Sequence, residues 1–193
     1  MTRIARWIAG VVAVVAVVAI GLLGYVRATG LRARVTPGAL ETRVARAVRS
    51  FAVPGSERQR QNPVPRSQEV IQAGLEHFAD HCAACHANDG SGITDFGRGL
   101  FPPPPDLRAA ATQRMTDGEL FYVIENGVRF TGMPAFGTGR AAGEEDSWKL
   151  VHFIRRLPQL SDAERDEMKD LNPRSPPEIR QEIAEEEFLR GTP

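Results

Sequence analysis

Cys82-Ala83-Ala84-Cys85-His86 decides how this chain is read. Two thiols stand one helical turn apart and a histidine follows the second, a pattern that suits covalent haem attachment. Each thiol can add to a vinyl group of the porphyrin, and the imidazole of His86 is then held under the macrocycle as a proximal iron ligand. The hard chemistry belongs to such a group; the chain holds and tunes it. Other readings need features that are missing. A thioredoxin-like pair should follow a strand in a βαβ pattern, and none surrounds these residues. A zinc site needs two more close ligands, and the chain has only these two cysteines. A plain disulfide in an oxidising compartment is the simplest alternative.

Upstream, Ile71, Gly74, Leu75 and Phe78 recur at helical spacing and deliver the chain to Cys82. A glycine inside a helix costs about 1 kcal/mol relative to alanine, so Gly74 predicts the close approach of another helix. The candidate is 144–157, where Leu150, Phe153, Ile154 and Leu157 repeat the spacing and Pro158 ends it. Glu144, Glu145 and Asp146 fill its expected first turn, where the helix dipole favours anions. A third helix is expected over 117–126. Thr116 and Glu119 form its capping box, Met115 and Leu120 its hydrophobic staple, and Asn126-Gly127 closes it. The stretches 87–105 and 128–143 are rich in Gly and Pro and hold no useful alternating strand. Loops this long are unusual in a small domain; a flat apolar cofactor at the centre gives them something to pack on.

A His-ligated haem used for electron transfer needs a sixth ligand that blocks dioxygen. Met133 sits in Thr131-Gly132-Met133-Pro134-Ala135-Phe136, where Gly132 permits close backbone approach and Pro134 biases Met133 away from helix. Met/His ligation raises the reduction potential. The plainer reading of Met133 is a core filler. Met115 has its staple role and Met168 lies in a polar tail. Among histidines, His77 and His81 are too near the attachment site to reach the opposite face, and His152 reads as a satisfied residue on a packing helix. In Phe101-Pro102-Pro103-Pro104-Pro105-Asp106 the prolines offer carbonyls and no N–H. One of these carbonyls could accept from His86 Nδ1–H and fix the ring; the alternative is a rigid surface loop.

The 193 residues carry no net formal charge, yet the charge is unevenly placed. Eleven arginines and two acids fall in residues 1–66, eight bases and twelve acids in 67–160, five bases and ten acids in 161–193. Residues 7–26, from Trp7 to Val26, are uncharged. Twenty residues at about 1.5 Å rise span a hydrocarbon core. The run exceeds the 7–15 residues of a signal-peptide core, and Val26-Arg27-Ala28 is a poor cleavage site, so an uncleaved anchor over residues 1–26 is expected. The dispersed arginines that follow suit anionic headgroups rather than nucleic acid.

Residues 27–66 read as a basic linker. Thr36 and Pro37 are expected to start a helix in which Leu40, Val44, Ala47, Val48 and Phe51 share one side. It would lie on a membrane or a partner, or else pack on the domain as a connecting helix. Residues 55–66 read as a polar tether. Residues 67–160 form the expected globular domain. The acidic tail 161–193 opens with a capping box at Ser161–Glu164 and shows another helix start at Ser175-Pro176-Pro177-Glu178. It reads as a loosely docked arm or a partner contact.

The assembled residues resemble class I c-type cytochromes, and more narrowly the cbb3-oxidase-subunit-III-like cytochrome c domain. The matching pieces are Gly74 and Phe78, Cys82–His86, Asp89-Gly90-Ser91-Gly92, Pro102–Leu107, Glu125-Asn126-Gly127, Gly132–Phe136 and Trp148. The resemblance implies an all-α cytochrome c fold over about 67–160. It implies one haem c held covalently by Cys82 and Cys85, with His86 and Met133 on the iron and Gly74/Phe78 meeting the Trp148 helix. The implied role is a monohaem electron carrier rather than an enzyme. Haem ligation at such motifs resembles a maturation process outside the bacterial cytoplasm. The expected place is therefore the inner membrane, single-pass, with the haem domain in the periplasm, between a respiratory-type donor and acceptor. Two other roles stay open: a dedicated haem subunit of a larger oxidoreductase, and an open-site haem enzyme or gas sensor.

Overall fold

The computed structural model describes residues 2–174 and 176–191. The chain divides into one unit up to Val35 and a second from Thr36 onward. The first unit holds helix α1, Arg3–Thr29. Thr2 caps it by accepting from the Ala5 amide, and Gly30 stops it at a positive φ of 69°. Its 27 residues rise about 40 Å and are long and apolar enough to cross a membrane. None of its described side chains is buried within the chain.

The second unit is built from helices α2 (Ala39–Ala52), α3 (Gly55–Arg58), α4 (Gln68–His77), α5 (Ala83–His86), α6 (Ala110–Gln113), α7 (Asp117–Asn126), α8 (Ala141–Arg156), α9 (Asp162–Leu171) and α10 (Pro176–Leu189). No strand occurs among the described residues, so the expected all-helical class is what the chain adopts. Its centre is the crossing of α4 and α8. A Cβ at Gly74 would stand 2.9 Å from the Cβ of Phe153 and closer still to the Lys149 carbonyl oxygen. The missing side chain therefore sets the helix–helix distance, as the interior glycine predicted. Around this crossing Leu75, Phe78, Leu150, Phe153 and Leu157 are fully enclosed. The rings of Phe78 and Phe153 meet at 5.1 Å, and Phe121 of α7 stacks on Trp148 of α8 at 4.0 Å.

The α7 ends follow the sequence. Thr116 accepts from the Glu119 amide while Glu119 accepts from the Thr116 amide, completing the capping box. Ser161 and Glu164 do the same for α9.

Four features differ from the sequence expectation. Helix α2 starts after Gly38, not Thr36, because Glu41 folds back on the Gly38 amide. Helix α8 starts at Ala141, three residues earlier than expected, so only Glu144 of the three acids lies in its first turn. Glu145 and Asp146 instead pair with Lys149 at 3.0 and 3.1 Å, and Glu144 pairs with Arg60 at 3.3 Å.

Residues 55–66 are not a free tether. Gly118 lets the Glu57 carbonyl approach α7 directly, Asn62 donates to the Trp148 carbonyl, and His152 Nε2 lies 2.8 Å from the Val64 carbonyl. Arg60 lays its guanidinium over Phe121, 4.4 Å from the ring centre, a cation–π contact that caps the aromatic stack. Met168, placed by sequence in a polar tail, is wholly buried and fastens α9 to the core. The expected helix start at Ser175 lies outside the described residues; α10 itself runs as a largely exposed helix.

Candidate functional site

Helix α4 does not stop at His77. It widens into a π-helical turn, Phe78–Cys82, that ends on the first thiol, and tightens again into α5, which carries Cys85 and His86. Such a turn re-aims the side chains that follow it and is a frequent companion of functional sites. Buried Phe78 and Ala79 pin the turn to the core, so Cys82, Cys85 and His86 leave a fixed platform. Ala87 ends α5 at a φ of 62°, and the Ala87 amide still donates to the Ala83 carbonyl.

Beyond α5 the chain folds back on the histidine. The Gly92 amide donates to the His86 carbonyl at 2.8 Å, and the Leu107 amide donates to the Gly90 carbonyl at 2.8 Å. Gly92, at a φ of 75°, leaves no room for a side chain beside the Pro104 carbonyl. Arg108 ties this arrangement together by bonding Asp106 at 3.0 Å and Asp89 at 2.9 Å. Both carboxyls lie below their usual range: at Asp89 burial opposes and hydrogen bonds from Ser91, followed by the Arg108 charge, prevail, while at Asp106 the Arg108 hydrogen bond prevails over burial. The proline run is therefore held against the glycine loop, and the Pro105 carbonyl acts on the His86 ring.

His86 Nδ1 is buried and has no hydrogen-bond partner. The Pro105 carbonyl is near enough to favour a proton on the ring but is not at full hydrogen-bond geometry. Burial outweighs it and pushes the His86 pKa below the free value. The imidazole is thus neutral at neutral pH, the form in which histidine binds metal. Both cysteines are free thiols. Burial, helped by Cys85, pushes Cys82 up to about 12, and burial raises Cys85. These are not the low-pKa thiolates of a dithiol oxidoreductase.

Met133 lies half-buried in the loop after α7. Gly127 turns the chain at a φ of 64°, and its bare Cα faces the Met133–Ala135 backbone. The Val128 amide donates to the Met133 carbonyl at 3.1 Å, and the Met133 amide donates to Thr131 Oγ1 at 3.1 Å. Further along, the Phe136 and Gly137 amides donate to the Ile124 and Glu125 carbonyls, hanging the loop from the last turn of α7. The loop also touches the attachment turn: the Phe136 ring meets the His81 ring edge-on at 6.4 Å. A bridge forms at Gly97–Leu100, where Gly97 abuts the Cys85 carbonyl and Leu100 wraps Gly132.

Among the expected competitors, His152 is satisfied by the Val64 carbonyl, and His77 and His81 pack on each other at 4.8 Å. Sequence reasoning missed Asn88 and Asn172, which link the attachment turn to the tail, and Arg60; single polar residues in irregular segments leave no periodic signal.

The residues suit a haem. A buried, neutral imidazole with an unpartnered ring nitrogen follows directly on two free thiols, and the surrounding loops carry apolar side chains that protein does not cover, Ile93, Phe96 and Phe130 among them. An all-helical domain with this attachment turn is a c-type cytochrome domain. Residues 69–154 match the family described as cytochrome c oxidase, cbb3-type, subunit III. The match supports a haem c electron-transfer role. No curated protein matches the chain.

Proposed function

We propose that the chain is a membrane-anchored periplasmic monohaem c-type cytochrome that passes single electrons between a respiratory-type donor and acceptor. The observation that carries this reading is the platform Cys82–His86, where a buried imidazole with an unpartnered ring nitrogen follows directly on two free thiols. Cys82 and Cys85 hold the haem covalently. Each thiol would supply the sulfur of a thioether to a vinyl carbon of the group, its hydrogen going to the neighbouring carbon, so attachment would consume no oxidant. His86 and Met133 hold the iron. Haem supplies a metal that changes oxidation state by one electron. The chain supplies the rest. Burial keeps His86 unprotonated, the Pro105 carbonyl lies beside its ring, and the hydrogen bonds of Thr131 and Val128 fix the Met133 backbone. Helix α1 anchors the chain in the inner membrane, and tethering raises the effective concentration of the haem domain at membrane partners.

A second reading makes the chain a haem subunit of a larger oxidoreductase, and the family description, an oxidase subunit, favours it. The same haem platform serves either role. Expression beside competent haem-attachment machinery tests the platform: the intact chain should keep haem after denaturation, and the Cys82→Ala/Cys85→Ala chain should not. A colourless protein of apoprotein mass overturns both readings. Mild detergent extraction separates them, because a stoichiometric partner selects the subunit and a lone protein selects the carrier.

A further inference from the structure

Helix α2 is mounted the wrong way round for a globular protein. A surface helix turns its apolar stripe to the core and its charged side to water. In α2 the apolar stripe of Leu40, Val44, Val48 and Phe51 is exposed along its whole length, Phe51 by 91%. The half-buried positions, Thr42 and Arg49, lie on the opposite side. Arg49 donates to Met115 Sδ at 3.6 Å, Arg58 donates to the Ser50 carbonyl, and Val53, just past the helix, is buried. Burial and neighbouring Arg46 lower the Arg49 pKa, as expected of a cation pressed against the domain. The helix is thus fastened by its polar side and offers its apolar side outward.

We infer that α2 lies in the interface of an anionic lipid bilayer, with Leu40, Val44, Val48 and Phe51 among the acyl chains and arginines at the headgroups. This rests on the reading of α1 as a membrane anchor. Charge points to the occupant. Helix α2 carries Arg43, Arg46 and Arg49 against one acid, Glu41, and Arg27, Arg32 and Arg34 precede it in the chain. Arg43 borders the apolar stripe and is exposed, so its guanidinium is free to reach phosphates while its stem covers apolar surface. Basic clusters beside a membrane span bind anionic headgroups, and amphipathic helices of this make-up bury their apolar side at the headgroup boundary. Continuity agrees. Nine residues separate Thr29 from Ala39, a reach of roughly 30–35 Å when extended, so any membrane holding α1 is within reach of α2. The haem domain would then have two points of attachment, which limits its orientation as well as its distance.

The test uses the full haem-loaded chain in lipid nanodiscs, either zwitterionic phosphatidylcholine alone or phosphatidylcholine mixed with anionic phosphatidylglycerol. Hydrogen–deuterium exchange is read over α2, with α4 and α8 as internal references. The amides of α2 should exchange about tenfold more slowly in the anionic discs, and high salt should narrow the difference. Val44→Glu with Val48→Glu should abolish the protection and leave α4 and α8 unchanged. These positions are exposed and glutamate is a better helix former than valine, so loss of protection would not reflect a weakened helix. Equal exchange in both discs, or indifference to the substitutions, overturns the proposal. Protection only in discs holding more than one copy overturns it in favour of a second chain covering the stripe. A chain that stays out of the discs overturns the anchor reading and this proposal together; one that inserts with α2 unprotected overturns this proposal alone.

Discussion

The side-chain amides of Asn88 and Asn172 face each other, each donating to the other's oxygen at 2.8 and 2.9 Å, and Asn172 also donates to the Ala79 carbonyl at 2.8 Å. One asparagine from the end of α9 thereby clamps both flanks of the attachment turn: the π-helical entry at Ala79 and the exit two residues after His86. Residue 172 lies outside the matched segment 69–154, so the tail contributes a strut to the haem platform.

Removing that strut should cost stability. Asn172→Ala leaves the buried Ala79 carbonyl and the Asn88 amide without this partner, and an unsatisfied buried polar group costs about 1–3 kcal/mol. Asn88→Ala leaves the Ala79 bond intact and should cost less. Denaturant midpoints of the haem-loaded protein provide the comparison. Equal losses for the two variants would mean that the Ala79 bond contributes nothing.

The α4–α8 crossing makes a sharper prediction. Alanine normally stabilises a helix interior by about 1 kcal/mol over glycine. At Gly74 the added Cβ would meet the Lys149 carbonyl and Phe153, neither of which has room to yield. Overpacking of this kind costs about 1–3 kcal/mol, so Gly74→Ala should destabilise on balance, and Gly74→Val more so. Gly99→Ala is the control, since nothing lies within 4 Å of a Cβ built there. Thermal unfolding of the three variants would expose an error if Gly74→Ala raised the midpoint.

The crossing also shows what the sequence made legible. A lone glycine in a helical stripe and two capping boxes each write their geometry into adjacent residues, and the structure follows them. The docking of 55–66 was hidden because its bonds run through the backbone carbonyls of Glu57 and Val64, which any residue type supplies. Met168 was hidden because a single apolar residue in a charged helix makes no stripe, yet one buried side chain suffices to seat α9. The start of α2 was misread because Thr36-Pro37 and Gly38–Glu41 are both good openings, and only the Glu41 bond to the Gly38 amide decides between them. For the site, the thiols and His86 were legible as a contiguous motif. The carbonyl that acts on His86 was narrowed from four prolines to Pro105 only by the folded loop.

Acid should weaken the fold in part through His77. Burial, followed by neighbouring His81, lowers its pKa from the free value of 6.5, against the pull of Asp146 and Asp80. Between the folded and free values the unfolded chain binds more protons, so stability rises with pH across that window. Stability is therefore lost as pH falls below about 6.5 and continues to fall until the lowered folded value is passed. His77→Gln should flatten this part of the stability–pH curve, read by denaturant unfolding at fixed ionic strength. An unchanged slope would show that His77 carries no proton-linked share.

Met133→Ala is the decisive substitution for the iron's second ligand. The loop that carries Met133 is held by backbone bonds of Val128, Thr131, Phe136 and Gly137, none of which uses the thioether, so the loop should keep its course when the side chain is cut back. Covalent haem should be retained, because Cys82 and Cys85 lie on a separate turn. Two properties should change together. The reduction potential should fall, since methionine ligation raises it. The reduced protein should bind carbon monoxide at neutral pH where the parent does not. Electrochemical titration and the visible spectrum of the reduced protein under carbon monoxide read both. If the parent already binds carbon monoxide and the substitution moves neither quantity, Met133 is a loop residue and the iron is open, which is the signature of a haem enzyme or gas sensor rather than a carrier.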